Sequence, residues 1–82
     1  MRVILSREAE KDYSDLSKSE QKKIDKKLLH LSKDPFIGKL LGGKLKGCYS
    51  LRAWPYRIIY QIIKKSLYVA VIRILHRQGA YK

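Results

Sequence analysis

At Gly42-Gly43 the spacing of apolar residues changes from a period of 3.6 to a period of 2, and that switch constrains the fold more than any other feature. Before it, Ala9, Tyr13 and Leu16 recur at i, i+4 and i+7, and Ile24, Leu28 and Leu31 repeat the spacing. Each set draws one apolar stripe along a helix. After it, Tyr56, Ile58, Tyr60 and Ile62 alternate with Arg57, Ile59, Gln61 and Ile63, as residues on opposite faces of a strand do. Helices first and a sheet afterwards make an α+β arrangement.

The boundaries follow from local signals. Arg2 to Leu5 (RVIL) is a short run of β-type residues and predicts a first strand. Ser6 can cap a helix over residues 7–16, with Glu8, Glu10 and Asp12 in the early turns, where the helix dipole favours negative charge. Ser17 and Glu20 form an S-x-x-E capping box for a second helix, so the two helices make a hairpin with a turn near residues 17–19. Asp34-Pro35 ends that helix, because α geometry is disfavoured before a proline. Lys22, Lys23, Lys26 and Lys27 lie largely off the apolar stripe, as a solvated face or else as a contact for a polyanion, and His30 lies beside it as a partly buried surface residue.

Residues 36–43 read as a loop, and three strands are expected after it: 48–54, 56–63 and 67–75. Pro55 belongs at the first hairpin turn, since it cannot donate to a ladder, and Lys64-Lys65-Ser66 makes the second. Apolar residues on both faces place strand 67–75 centrally in the sheet. The expected order is β-α-α-β-β-β, two N-terminal helices packed on a mostly antiparallel four-stranded sheet, in one domain over residues 1–82.

Charge narrows the function. Residues 1–34 hold nine Lys/Arg against all seven acids, a net +2; residues 35–82 hold ten Lys/Arg and no acid, a net +10. Excess charge destabilises a small domain by self-repulsion, so the asymmetry points to a polyanionic partner, nucleic acid first and an acidic protein second. The lone Cys48 cannot form an internal disulfide, and no apolar run approaches a membrane span; a cytoplasmic protein with no membrane partner is expected.

No Cys/His cluster has zinc spacing, no acid follows Asp34 to hold magnesium, and there is no P-loop or GxGxxG. The expectation is therefore no metal and no cofactor. What remains is a phosphodiester site of cations, a histidine and tyrosines. RNA carries its own nucleophile, the 2′-OH, so cleavage needs a base, cations to stabilise the phosphorane and an acid for the leaving 5′-oxygen. Arg57 and Arg77 suit the phosphate clamp, and His76 or Tyr81 the proton transfers. Lys44, Lys46, Arg52, Trp54 and Arg73 are the candidate RNA-binding residues. Trp54 reads equally as an exposed contact for RNA or a protein partner and as a cap over the core. Arg73 belongs either on the active surface or at an edge. The same residues also describe a module that binds RNA or DNA without cleaving it.

Over the whole chain the sequence resembles the RelE/ParE superfamily of type II toxins, and within it the RelE-type messenger RNA endoribonucleases. The resemblance is carried by Lys44-Leu45-Lys46-Gly47 with Tyr49, by Tyr56-Arg57-Ile58-Ile59-Tyr60, and most specifically by Val71-Ile72 through His76-Arg77 and Tyr81, similar to the family's HRxxxY ending. It implies a microbial-RNase-like fold, cleavage of mRNA in the ribosomal A site beside ribosomal RNA by 2′-OH attack, and a cognate antitoxin as partner. It also implies that Arg57 stabilises the phosphorane, that Arg77 supports the phosphate or leaving group, and that Tyr81 acts on the 2′-OH or stacks on a base. Well-known bacterial members carry two lysines where this chain has Ser50 and Arg52. Arg52 keeps the charge, Ser50 does not, and His76 takes part of the proton-transfer role. The competing member of the superfamily is a ParE-like inhibitor of DNA gyrase with no nuclease site.

Overall fold

The computed structural model of the 82-residue chain describes residues 1–77. Strand β1 (Arg2–Leu5) leads into helix α1 (Arg7–Ser14) and helix α2 (Lys18–Lys33). Strands β2 (Lys39–Leu40), β3 (Tyr49–Ala53), β4 (Tyr56–Ile63) and β5 (Tyr68–His76) follow, with a single 3₁₀ turn at Gly43–Leu45 between β2 and β3. The sheet order is β1-β5-β4-β3-β2. The β1–β5 pair is parallel and the other three are antiparallel. The α+β class and the central place of β5 are as expected. The strand count is not: the sheet has five strands rather than four, because Lys39 and Leu40 pair with Ser50 and Tyr49 inside the stretch that reads as a loop.

Both helices start where their caps dictate. The Ser6 Oγ accepts from the Ala9 N–H at 3.0 Å, and Ser17 and Glu20 form the full reciprocal box. That box needs extended backbone at Ser17, so α1 must finish earlier than the apolar stripe alone suggests. It ends at Ser14, with Asp15 as its C-cap, and Leu16 still packs on the core. β5 begins one residue later than expected because Leu67 has φ 53 and belongs to the turn.

One face of the sheet takes the helices. Ala9, Ile24 and Leu31 meet Ala53, Ile58, Tyr60, Val69, Val71 and Ile74 in a single buried cluster. Each fully buried large aliphatic side chain there contributes about 1.5–3 kcal/mol. In β4 the residues alternate as expected: Ile58 and Tyr60 sit in this core, with Tyr56 and Ile62 packed against it. Ile59 and Ser50, which pair across β3 and β4, are buried outside that cluster and belong to the opposite face.

Two carboxylates fasten helices to sheet. Beyond the end of β1, Asp12 of α1 accepts from the Arg73 guanidinium at 2.7 and 3.1 Å and from the Ile74 N–H at 2.9 Å. Nearby, Ser6 donates through its N–H to the Val71 carbonyl and through its hydroxyl to the Ile72 carbonyl, 66 positions away. The register of β4 against β5 shifts between Ile59 and Tyr60, so Arg73 faces Ile59 while Val71 faces Tyr60. On α2, Glu20 accepts from the Tyr56 hydroxyl at 2.8 Å, so the helix cap is also a tie to β4. No helix among the described residues is long and apolar enough to cross a membrane.

Candidate functional site

Register decides which candidate residues meet. Arg52 on β3 lies directly opposite Arg57 on β4, and two positions along the same face Ser50 lies opposite Ile59. β2 extends this second row, because Lys39 pairs with Ser50. Like charges directly opposite each other on neighbouring strands are destabilising. The two guanidiniums, with a lysine one row away, concentrate positive charge on this face. The three cations, with Ser50, Trp54 and Lys27 of α2, line an open trough of ≈ 620 Å³ with no carboxylate side chain in its wall among the described residues.

Arg57 is partly buried, whereas Arg52 and Lys39 are exposed. Ser50, which lines the same trough, is 94% buried, its relative exposure being 6%. The Ser50 hydroxyl is the one buried side-chain polar atom without a hydrogen-bond partner among the described residues.

Trp54, 56% exposed, stands at the rim. It follows β3 directly, so the packing of the core cannot cover it, and the exposed alternative expected for it is the one realised. The Arg77 guanidinium carbon lies 4.8 Å above its ring, a cation–π contact, while the Arg77 N–H donates to the Pro55 carbonyl at 2.8 Å. Arg77 is thus held to the β3–β4 turn by both backbone and side chain. On its other flank Trp54 borders a cleft of ≈ 290 Å³ against α2, where Lys23, Lys26, Lys27 and His30 form the facing wall. His30 is exposed rather than partly buried.

The other candidates lie elsewhere. His76 pairs with Tyr56, and the two rings meet edge to face at 5.4 Å. Arg57 pairs with Leu75, so Arg57 and His76 emerge on opposite faces of the same end of the sheet. Arg73 is engaged with Asp12 of α1, beyond the end of β1. Lys44 and Lys46 are exposed on the loop around the 3₁₀ turn and do not line the trough. Tyr81 lies outside the described residues.

The titrating groups close by are tuned by the ties between layers. Glu20 is held below the usual carboxylate range by the Ser17 N–H first, then by the Tyr56 and Ser17 hydroxyls. The same bond raises the Tyr56 phenol. For Asp12, burial pushes upward, but the bonds from Arg73 and the Ile74 N–H outweigh it and leave the carboxyl below its ordinary value. Among the described residues no group of three His, Cys, Asp or Glu comes together to hold a metal ion.

Lys39 is the trough cation that sequence reading misses, and sequence reading does not single out Lys27 from its neighbours. Lys39 sits on a two-residue exposed strand with no periodicity to reveal it, and Lys27 is one of four lysines that look alike in sequence. Gly38, which allows β2 to approach β3 closely, is the remaining local signal.

Comparison with known proteins identifies the chain's relatives. Residues 3–81 match the family model described as the ParE toxin of the type II toxin-antitoxin system, parDE. A putative RelE-like toxin protein of Escherichia coli is 36% identical over 75 residues, covering 87% of this chain and 77% of that protein. In the RelBE2 toxin–antitoxin complex of Mycobacterium tuberculosis a chain superposes with a TM-score of 0.85 at 28% identity, over 93% of this chain and 96% of that one. In the intact RelBE toxin–antitoxin complex of E. coli the values are 0.75, 30%, 89% and 92%.

Proposed function

The chain belongs to the RelE/ParE superfamily of type II toxins, and from that premise we propose that it is a ribosome-dependent endoribonuclease that cuts messenger RNA in the A site. The observation that carries the reading is the Arg52–Arg57 pair, facing each other across β3 and β4 in a carboxylate-free trough. RNA lies with one phosphate between the two guanidiniums. A base takes the proton from the 2′-OH, the 2′-oxygen bonds to phosphorus, and the 5′-oxygen leaves with a proton from an acid. The products are a 2′,3′-cyclic phosphate and a 5′-hydroxyl.

Arg57 and Arg52 stabilise the charge that grows on the phosphorane oxygens, where preorganised donors act most strongly. Trp54, with one flank on the trough and Arg77 over its ring, offers a stacking surface for a base. Tyr81 is the proton carrier of this reading; His76, expected from the sequence to share that role, emerges on the face of the sheet opposite Arg57 and drops out of it. Lys23, Lys26, Lys27, Lys44 and Lys46 add charge toward ribosomal RNA. The partner in the cell is a cognate antitoxin, as supported by the toxin–antitoxin complexes among the similar structures.

One specific observation favours a second reading: the matching family model is that of ParE. In that case the protein inhibits DNA gyrase by binding it. The two are separated with purified protein on ribosomes programmed with a defined mRNA, alongside a gyrase supercoiling assay. The nuclease reading expects cleavage within the A-site codon, and a loss of about 10²-fold or more in rate for Arg57→Ala. Intact mRNA together with blocked supercoiling would overturn it.

A further inference from the structure

The mechanism above leaves the Ser50 hydroxyl unused. It is 94% buried, it lines the trough, and no hydrogen-bond partner among the described residues reaches it. A buried hydroxyl left unpaired costs stability, about 1–3 kcal/mol in general, so native chains keep few of them. The surroundings of this one are specific. Across β2–β3 its pairing partner is Lys39, and one row along the same face stands the Arg52–Arg57 pair. Successive positions on one face of a strand are about 7 Å apart, so long cationic side chains from either row can converge over the short serine between them.

We propose that Ser50 and Lys39 complete the phosphate site: the Ser50 hydroxyl donates a hydrogen bond to a non-bridging oxygen of the phosphate that Arg52 and Arg57 clamp, and the Lys39 ammonium supplies the third positive charge from the opposite side. This rests on the endoribonuclease reading and adds two substrate-contacting residues to it. The argument is one of satisfaction. Among the described residues the hydroxyl has no partner, and a phosphate that displaces the side chains covering it would provide one. Hydroxyls and ammonium groups both donate to phosphate, and guanidiniums cannot supply everything, because the two arginines approach from one row only. A bound phosphate gains negative charge on the way to the phosphorane, so a third cation at that point favours the transition state over the ground state.

The test uses the full chain and reads rate and stability together, with Arg57→Ala as the internal control. Ser50→Ala removes the hydroxyl and leaves the backbone pairing intact. The expected result is a fall of at least about 10-fold in cleavage of programmed ribosomes, with a thermal midpoint equal to or above the parent's, since an unsatisfied buried group has gone. Lys39→Ala, on an exposed strand position, is expected to slow cleavage comparably, and Lys39→Arg to restore it. Ser50→Ala and Lys39→Ala both cutting at the parental rate, while Arg57→Ala is slow, would overturn this inference and leave the nuclease reading standing. A Ser50→Ala protein that loses rate only because it melts early would overturn it as well, since the hydroxyl would then be structural. If the parent does not cut, or Arg57→Ala cuts at the parental rate, the nuclease reading itself fails.

Discussion

Gly38 holds the outer wall of the trough in place through what it lacks. A Cβ there would run into the Tyr60 hydroxyl and stand 2.9 Å from both the Ser50 carbonyl oxygen and the Tyr60 ring carbon Cε1. That hydroxyl is committed on both sides: it accepts from the Gly38 N–H at 3.0 Å and donates to the Pro35 carbonyl at 2.8 Å. Tyr60 is fully buried, and burial pushes its phenol up, so it stays a neutral donor. The core therefore fixes the peptide next to Lys39. Gly38→Ala should destabilise the protein by about 1–3 kcal/mol through overpacking, read by denaturant titration. It should also slow cleavage beyond that loss by displacing Lys39. An unchanged midpoint would mean that β2 can shift freely. The role of Tyr60 in the core is legible in sequence from the alternation of β4, but its hydroxyl contacts depend on a loop that carries no periodic signal.

At the scale of elements, the legible parts are those with a local cause. The capping box marks α2 to the residue, and the alternation 56–63 marks β4 to the residue. β2 escapes because two exposed residues, Lys39 and Leu40, cannot show a period. Arg57 is recognisable from chemistry alone, whereas its neighbours Arg52, Ser50 and Lys39 are set by pairing across turns, and no local pattern encodes that register. The ties between layers are equally invisible, although they govern acid stability. Asp12 fastens α1 to β5 and Glu20 fastens α2 to β4, and both carboxyls titrate below their ordinary values of 3.8 and 4.5. A depressed folded pKa means that the unfolded chain binds protons first as pH falls. The stabilisation is complete above the ordinary values and disappears as pH drops through the lowered ones. Thermal midpoints measured from pH 7 down to about pH 2 should fall on that limb, and Asp12→Asn should flatten it. An Asp12→Asn limb identical to the parent's would remove Asp12 from the account.

For the molecule as a whole, the net charge of +12 on 82 residues is the dominant long-range term. Seven acids are too few to offset it, and two of them are spent on Arg73 and the Ser17–Tyr56 cap. Screening shortens repulsion to about 8 Å at physiological ionic strength. Raising salt from about 20 mM to 300 mM should therefore raise the thermal midpoint of the free protein, measured by calorimetry. A midpoint that fell with salt would show that the ion pairs outweigh the repulsion. The same sheet also imposes an order in time. β1 is held by β5, and Ser6 reaches Ile72 across 66 positions, so the earliest strand made waits for the last one before it has a partner in the sheet. Contacts of such separation form slowly, whereas the antiparallel pairs β2–β3, β3–β4 and β4–β5 join strands that are neighbours in sequence. While the chain is still growing, a ribosome that has not yet added Tyr68 to His76 carries helices and hairpin pieces but no closed core. A protein proposed to attack translation thus becomes competent only after the ribosome making it has finished the part that matters.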